Sequence, residues 1–264
     1  MERVTFDKLN NLNPGLRAKS FVTVSGKIDK AFNLENGDFD ILIKDLDKDQ
    51  KLVINVLEGS TAKISFFVNN ELNNLDVEIN SYKNSDTNVW FADFSKDHNI
   101  VNLTIYLKEE GASANFHLAS LTSKQDDKVF NVSVKHEAKN TYGKVDNYGV
   151  CKDSGKLVFD GVSHILNKCV NSKTYQNAKI MVFDKACDAI AKPILKIDEN
   201  DIAANHAAVV GKVNDEHLFY LTSRGLSEAQ AKEVITFGYL KPILEGFIDE
   251  DVKEEISKLI EGRM

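Results

Sequence analysis

The chain has 264 residues, long enough to bury a substantial core, and a formal net charge of -7. The acidic balance, with both signs mixed along the chain, argues against a nucleic-acid-binding face, which needs clustered Lys and Arg. No apolar run approaches the ~18 residues that span a bilayer, the start Met1-Glu-Arg-Val-Thr-Phe-Asp-Lys8 has no apolar leader, and an odd set of three cysteines does not make a secreted disulfide framework; the expectation is a cytoplasmic protein with free thiols.

Residues 1–20 carry no assignable pattern beyond a turn at Asn13-Pro14-Gly15. Period-two alternation follows. Phe39, Ile41 and Ile43 alternate with Asp40, Leu42 and Lys44. The same holds for Ile64, Phe66 and Val68, for Leu75, Val77 and Ile79, and for Val101, Leu103, Ile105 and Leu107. Each set reads as a short strand with one buried face. Lys51–Leu57 is a more continuous run, compatible with a strand covered on both sides. Turns recur at Asn36-Gly37, Glu58-Gly59-Ser60 and Glu110-Gly111-Ala112. Later strands are expected at about 130–136, 144–150, 156–165, 175–183, 193–197 and 202–210.

Two architectures fit this series: an antiparallel sandwich or barrel, or a β-solenoid. Cys151, Cys169 and Cys187 fall 18 residues apart twice, so a rung near that length would stack them; coincidence is the competing explanation.

The texture changes after Val213. Asn214-Asp215-Glu216 can cap a short helix carrying Leu218, Phe219 and Leu221, stopped by Arg224-Gly225. Ser227-Glu-Ala-Gln230 has capping-box spacing, which starts a second helix at about 228. Its apolar stripe runs through Val234, Ile235, Tyr239, Ile243 and Leu244, bent or broken at Gly238 and Pro242. Asp249 can cap a last helix with Val252, Ile256, Leu259 and Ile260 on one face, and Gly262 sits at a stop. The division expected is a strand core over 1–213 and a helical region over 214–264. The helices either pack on the end of the strand body or supply a docking surface.

The segment His206-Ala-Ala-Val-Val-Gly-Lys-Val213, then Asp215-Glu-His-Leu-Phe-Tyr220, then Ser223-Arg-Gly-Leu-Ser-Glu-Ala229 resembles the C-terminal signature of the SufB/SufD family, scaffold subunits of the SUF iron–sulfur cluster assembly machinery. Lys135-His136-Glu137, Phe159-Asp-Gly161, Thr174-Tyr-Gln-Asn177 and Lys192-Pro-Ile-Leu-Lys-Ile197 extend the resemblance over about 125–247. It implies a right-handed parallel β-helix with a C-terminal helical region. It also implies an ABC-type ATPase partner docking on those helices, and pairing of scaffolds through the end of the β-helix. A transient iron–sulfur cluster is the cargo, with a cysteine-derived sulfur donor as a further partner. The chain falls short of the family's longer N-terminal helical region. Asn205 and Ala207 flank the signature histidine as in SufD-like chains, though Ala204 stands where those often carry cysteine. Cys187 lies six residues before Pro193, where SufB-like chains place their essential cysteine. This mixture points to a reduced scaffold, working as a homodimer or with a SufB/SufD-type paralogue.

Thiolates, with imidazole as a substitute, are the ligands such clusters need. The candidates are Cys187, whose thiolate Lys185 and Lys192 would favour if close, and His206 among small residues. Cys169 and Cys151 are candidates for a sulfur relay; a structural core thiol is the alternative for each. His136, His164 and His217 read as structural or solvent-facing. Phe219, Tyr220, Arg224, Val234 and Tyr239 are candidates for ATPase docking. No phosphate-binding glycine loop and no Ser/His/Asp arrangement is present, so the chain is expected to be a non-catalytic scaffold. The alternatives are a SufD-like accessory that binds the ATPase and a SufB-like chain without holding a cluster, and a carbohydrate-active β-helix enzyme.

Overall fold

The computed structural model describes residues 20–28 and 31–263, so the turn at Asn13-Pro14-Gly15 and nearly all of the unassigned segment 1–20 lie outside the described residues. The strands in chain order are β1 (Ser20–Gly26), β2 (Phe32–Leu34), β3 (Asp38–Leu46), β4 (Gln50–Val56), β5 (Thr61–Val68), β6 (Asn73–Ser81), β7 (Asp86–Asp93), β8 (His98–Leu107), β9 (Ser113–Thr122), β10 (Asp127–His136), β11 (Tyr142–Cys151), β12 (Lys156–Ile165), β13 (Ser172–Val182), β14 (Asp188–Ile197) and β15 (Ile202–Lys212). Odd-numbered strands form one sheet in the order β1-β3-β5-β7-β9-β11-β13-β15. Even-numbered strands form the other, in the order β14-β12-β10-β8-β6-β4-β2. Every neighbouring pair is parallel. Each circuit of the chain therefore adds one strand to each sheet, which is a parallel β-helix flattened into two facing layers.

Alternation sends one set of side chains between the layers. In β8 these are Val101, Leu103, Ile105 and Leu107, all fully buried. Parallel pairing in register stacks like upon like from rung to rung. Phe66 lies 5.0 Å from its registered partner Phe91 and Phe130 5.8 Å from Phe159, while Phe91 meets Phe130 of the facing sheet at 6.0 Å. Each buried phenyl contributes about 1.5–3 kcal/mol of transfer free energy, and the staggered contacts add to it. Left-handed backbone turns the corners. Asn36, Asn84, Asn140, Asp153 and Asn171 have φ between 52° and 59°, which short polar side chains tolerate. Gly59 and Gly111 take the same role at φ 68° and 75°, as the expected turns require.

The circuit does not have an 18-residue period. It takes 19 residues from Ser20 to Phe39, 29 from Asp127 to Lys156 and 32 from Lys156 to Asp188, because each rung contains two strands and two corners and the strands lengthen along the helix. An 18-residue step is little more than half a circuit, so it alternates between corners instead of stacking residues. β1, β2, β7 and β9 are strands that alternation did not single out. In β7 and β9 the inward positions include Thr87, Asp93, Ala114 and Ser120, small or polar residues that are buried without being markedly apolar.

Three helices and a 3-10 turn follow: α1 (Asp215–Ser223), α2 (Glu228–Leu240), a 3-10 turn over Lys241–Gly246, and α3 (Glu250–Glu261). Asn214 and Asp249 cap α1 and α3, and Ser227 with Gln230 forms a complete capping box on α2. Pro242 lies in the 3-10 turn, which breaks the helical stripe. These elements do not cover the end of the β-helix. Leu240, Ile243, Phe247, Val252, Ile256 and Ile260 instead pack on the outer face of the odd-numbered sheet, against Leu42, Phe67, Phe94, Leu121 and Val150. Those outward residues are apolar, so the flank needs a cover that the end does not receive. Arg263 fixes the far end of this cover. It donates to the carbonyl oxygens of Phe94 and Ser95 and pairs with Asp126.

The open end of the β-helix as a candidate functional site

The last rung is built by β14 and β15. β14 pairs only with β12, and β15 only with β13, so each presents an unpaired edge among the described residues. An edge of ten or eleven residues is a template for another strand unless something blunts it. Val209 and Val210 are 55% and 44% exposed, and Ile194 and Ile197 are also exposed.

His206 faces into the space between the sheets. It is the last member of an inward row that runs Ile41, Ile64, Val89, Phe116, Val145, Gln176, His206 through successive paired positions. Five apolar rungs end in two polar ones. Gln176 is buried and reaches across, donating to Ser163 Oγ at 2.6 Å and to the Ile194 carbonyl at 3.2 Å. Gly161 leaves the space for it: a Cβ there would lie 3.1 Å from Gln176 Oε1. His206 stands on this platform. It is exposed because no rung follows among the described residues.

Cys187 immediately precedes β14. Its half-buried side chain packs against the core beside Ala189 and Ala191, and its thiol donates to the Asp153 carbonyl at 3.7 Å. Both candidates thus line the inner side of the open rung, but they do not meet within one chain. The Gln176 bond sets His206 level with Ile194, and Cys187 lies seven residues upstream, about 20 Å along the strand at ~3.3 Å per residue. It sits instead at the corner where β15 ends, since Lys212 pairs with Val182. Lys192 stays away from the thiol: it alternates with the inward Ala191 and Pro193 and is exposed on the outer face.

Cys151 closes β11 at the same corner as Cys187, one rung below, and is fully buried. Cys169 lies at the opposite corner, between β12 and β13. It is buried with its thiol donating to the His136 carbonyl at 3.3 Å, and it joins neither of the other two thiols. His136 is fully buried, with Nδ1 2.8 Å from Thr141 Oγ1. Burial pulls its imidazole down to about 4, so it is neutral near pH 7. His164 bonds Asp198 at 2.7 Å on the outer face, and His217 is exposed on α1.

The helical candidates divide. Phe219 is 74% exposed, with Tyr220 and Val234 also open to solvent, and Arg224 lies over the Tyr220 ring at 5.2 Å. α1 buries none of its residues. Tyr239, by contrast, turns toward the sheet and meets Tyr148 edge-on at 5.4 Å, where burial raises its phenol. Gln176 as the platform of the site was not singled out from residue types. The available signal was a long polar side chain at an inward, period-two position.

Among the described residues, no three His, Cys, Asp or Glu side chains gather where they could hold a metal ion within one chain. No described helix is long and apolar enough to cross a membrane.

The family model described as the SUF system FeS cluster assembly SufBD core domain matches residues 50–239. The iron–sulfur cluster assembly protein SufD of Bacillus subtilis is 32% identical over 135 residues, 51% of this chain and 31% of its own length. SufB of the same organism is 28% identical over 158 residues, 60% of this chain and 34% of that protein. A SufBD family protein of Staphylococcus saprophyticus is 30% identical over 129 residues, 49% of this chain and 28% of its own length. The matches span about a third of the length of these curated relatives.

Proposed function

The chain belongs to the SufBD family of the SUF iron–sulfur cluster assembly system, and from that premise we propose that it is a non-catalytic scaffold on which a transient iron–sulfur cluster is assembled between two copies joined at their open ends. One observation carries the reading: among the described residues the last rung is uncovered, has apolar unpaired edges, and presents Cys187 and His206 on its inner side.

A second copy supports the site geometrically. A two-fold axis through the open end, passing near Val209, pairs β15 with its mate antiparallel. His206 of one copy then lies opposite Lys212 of the other, beside the corner that carries the second copy's Cys187. The interface so formed repeats the Cys187–His206 pair twice. Thiolate and imidazole are suitable ligands for iron in such a cluster. The cluster and its iron and sulfide are cargo.

An ABC-type ATPase is the proposed driving partner. Phe219, Tyr220, Arg224 and Val234 form its docking surface, because α1 and the outer side of α2 carry exposed apolar and aromatic groups that the β-helix does not use. Tyr239 seats α2 on the sheet so that this surface is held rigidly. The accessory reading, a chain that supports a SufB-like partner without cluster ligands of its own, draws on the Asn205 and Ala207 neighbours of His206.

The test is anaerobic reconstitution with iron and sulfide after co-expression with the ATPase. Cys187→Ser and His206→Ala are each expected to lose most of the visible charge-transfer absorbance. Unchanged loading in both variants sinks the scaffold site and leaves the accessory reading.

A further inference from the structure

The corner that holds Cys187 holds a second thiol. The turn leading to Cys187 lies over the turn Lys152–Gly155 of the rung below. Phe183 N donates to the Cys151 carbonyl at 3.0 Å, Asp153 N to Asp184 Oδ2 at 2.7 Å, and Asp188 N to the Gly155 carbonyl at 3.0 Å. Within this frame the Cys151 thiol donates to the Gly155 carbonyl at 3.0 Å and the Cys187 thiol to the Asp153 carbonyl at 3.7 Å. The stacked turns bring the two cysteine side chains to the same corner, both as free thiols. Their exposure differs: Cys151 is fully buried, whereas Cys187 is half-buried. Burial keeps the Cys151 thiol out of reach of bulk reagents. A cleft of about 380 Å³ opens beside these turns, lined by Lys152, Asp153, Phe183, Asp184, Glu228 and Lys232.

We propose that Cys151 and Cys187 form a dithiol couple that converts a sulfane sulfur, delivered to Cys187 by a persulfide donor, into free sulfide. The proposal rests on the scaffold reading above and adds to it that Cys187 is the residue at which sulfur is received. In the first step the donor persulfide passes its outer sulfur to the Cys187 thiol and leaves as a thiol. In the second, Cys151 Sγ attacks Cys187 Sγ. A bond forms between the two cysteine sulfurs, and the bond from Cys187 Sγ to the outer sulfur breaks. The electron pair leaves with that outer sulfur, which takes the Cys151 proton and departs as hydrogen sulfide. The sulfane sulfur is reduced by two electrons, and the two cysteines are oxidised to one disulfide. A dithiol reductant resets the couple for another turnover.

The geometry assigns the roles. Cys187 is partly exposed at the open rung, whereas Cys151 is buried at the rung below it. Fixed proximity favours attack by the buried sulfur, and hydrosulfide is a better leaving group than a cysteine thiolate. Cys169, at the opposite corner, takes no part.

The experiment treats the reduced chain with one equivalent of glutathione persulfide without oxygen. Sulfide is measured colorimetrically, and the protein by intact and peptide mass. The wild-type chain is expected to release one equivalent of sulfide beyond that seen with a Cys151→Ser/Cys187→Ser chain. It ends two hydrogens lighter, with a peptide linking Cys151 to Cys187. Cys151→Ser is expected to retain one added sulfur on Cys187 and to release about tenfold less sulfide, the proximity of the buried thiol being lost. The proposal is overturned if the wild-type chain keeps the added sulfur on Cys187 and releases no excess sulfide, or if the disulfide involves Cys169. If Cys151→Ser acquires no sulfur on Cys187, the receiving role of Cys187 fails first and the couple with it, so the two failures are told apart. Should Cys151→Ser fail to fold, the wild-type sulfide yield and linked peptide decide the matter alone.

Discussion

His136 offers a direct energetic test of the rung architecture. It is fully buried at the end of β10, one ring nitrogen bonded to Thr141 and Nε2 without a partner among the described residues. A Cβ at Gly143 would lie 3.0 Å from that Nε2, so the next sheet closes directly over it. Burial lowers the imidazole from 6.5 to about 4 in the fold. The unfolded chain takes up the proton near pH 6.5, while the folded chain resists until about pH 4, so the unfolded state binds more protons between those values. The neutral imidazole's contribution is fully present above about pH 6.5 and is lost progressively as pH falls toward 4. At about 1.4 kcal/mol per unit, the shift amounts to about 3 kcal/mol. Urea unfolding at pH 7 and at pH 4.5, for wild type and His136→Gln, measures this. The wild type is expected to lose about 2–3 kcal/mol more stability than the variant across that interval. An equal loss in both, or an imidazole proton resonance titrating near pH 6.5 in the folded protein, would refute the burial argument.

Asp93→Asn leaves the fully buried Lys128 ammonium, 2.7 Å from the carboxylate in the native chain, without its counter-charge. Burial pushes the Asp93 carboxyl up, but Lys128, Ser95 and Asn99 together outweigh it and hold the carboxyl below its ordinary range. The variant should lose about 3–5 kcal/mol in urea titration, whereas a loss under 1 kcal/mol would mean the pair is hydrated. Val209→Lys places a charge on the outward face of the open edge. It should shift the proposed dimer to monomer in sedimentation at micromolar concentration while leaving the thermal midpoint of the monomer unchanged. Ser227→Ala removes the side-chain acceptor of the α2 capping box and should cost about 1 kcal/mol; no change in ATPase affinity or stability would show the α2 start to be unimportant.

Much of the strand body was legible because its inward positions are strongly apolar. The alternation over Val101–Leu107 marks β8, and the Ser227/Gln230 spacing marks the start of α2 within a residue. The circuit length was not legible, because it varies from rung to rung and no repeat of fixed period exists. The equal cysteine spacing is a coincidence of corners: Cys151 and Cys187 share one, and Cys169 stands at the other. Which surface the helices cover was also hidden. It depends on outward residues such as Phe67, Phe94 and Val150, whose partners in the helical region lie far away in the chain. His206 could be picked out by type and resemblance, but its inward orientation and exposure follow only from its place above Gln176 at an unpaired edge.

The central claim is that the cluster site forms between two copies, with Cys187 from one and His206 from the other. Complementation tests it most directly. Differently tagged Cys187→Ser and His206→Ala chains are co-expressed, the mixed dimer is isolated through both tags, and iron–sulfur loading is measured after reconstitution. In a shared site the mixed dimer keeps one intact Cys187–His206 pair, and loading should recover to about half the wild-type level while each single-variant homodimer stays empty. Mixed dimers as empty as either homodimer would contradict a site that takes Cys187 from one copy and His206 from the other.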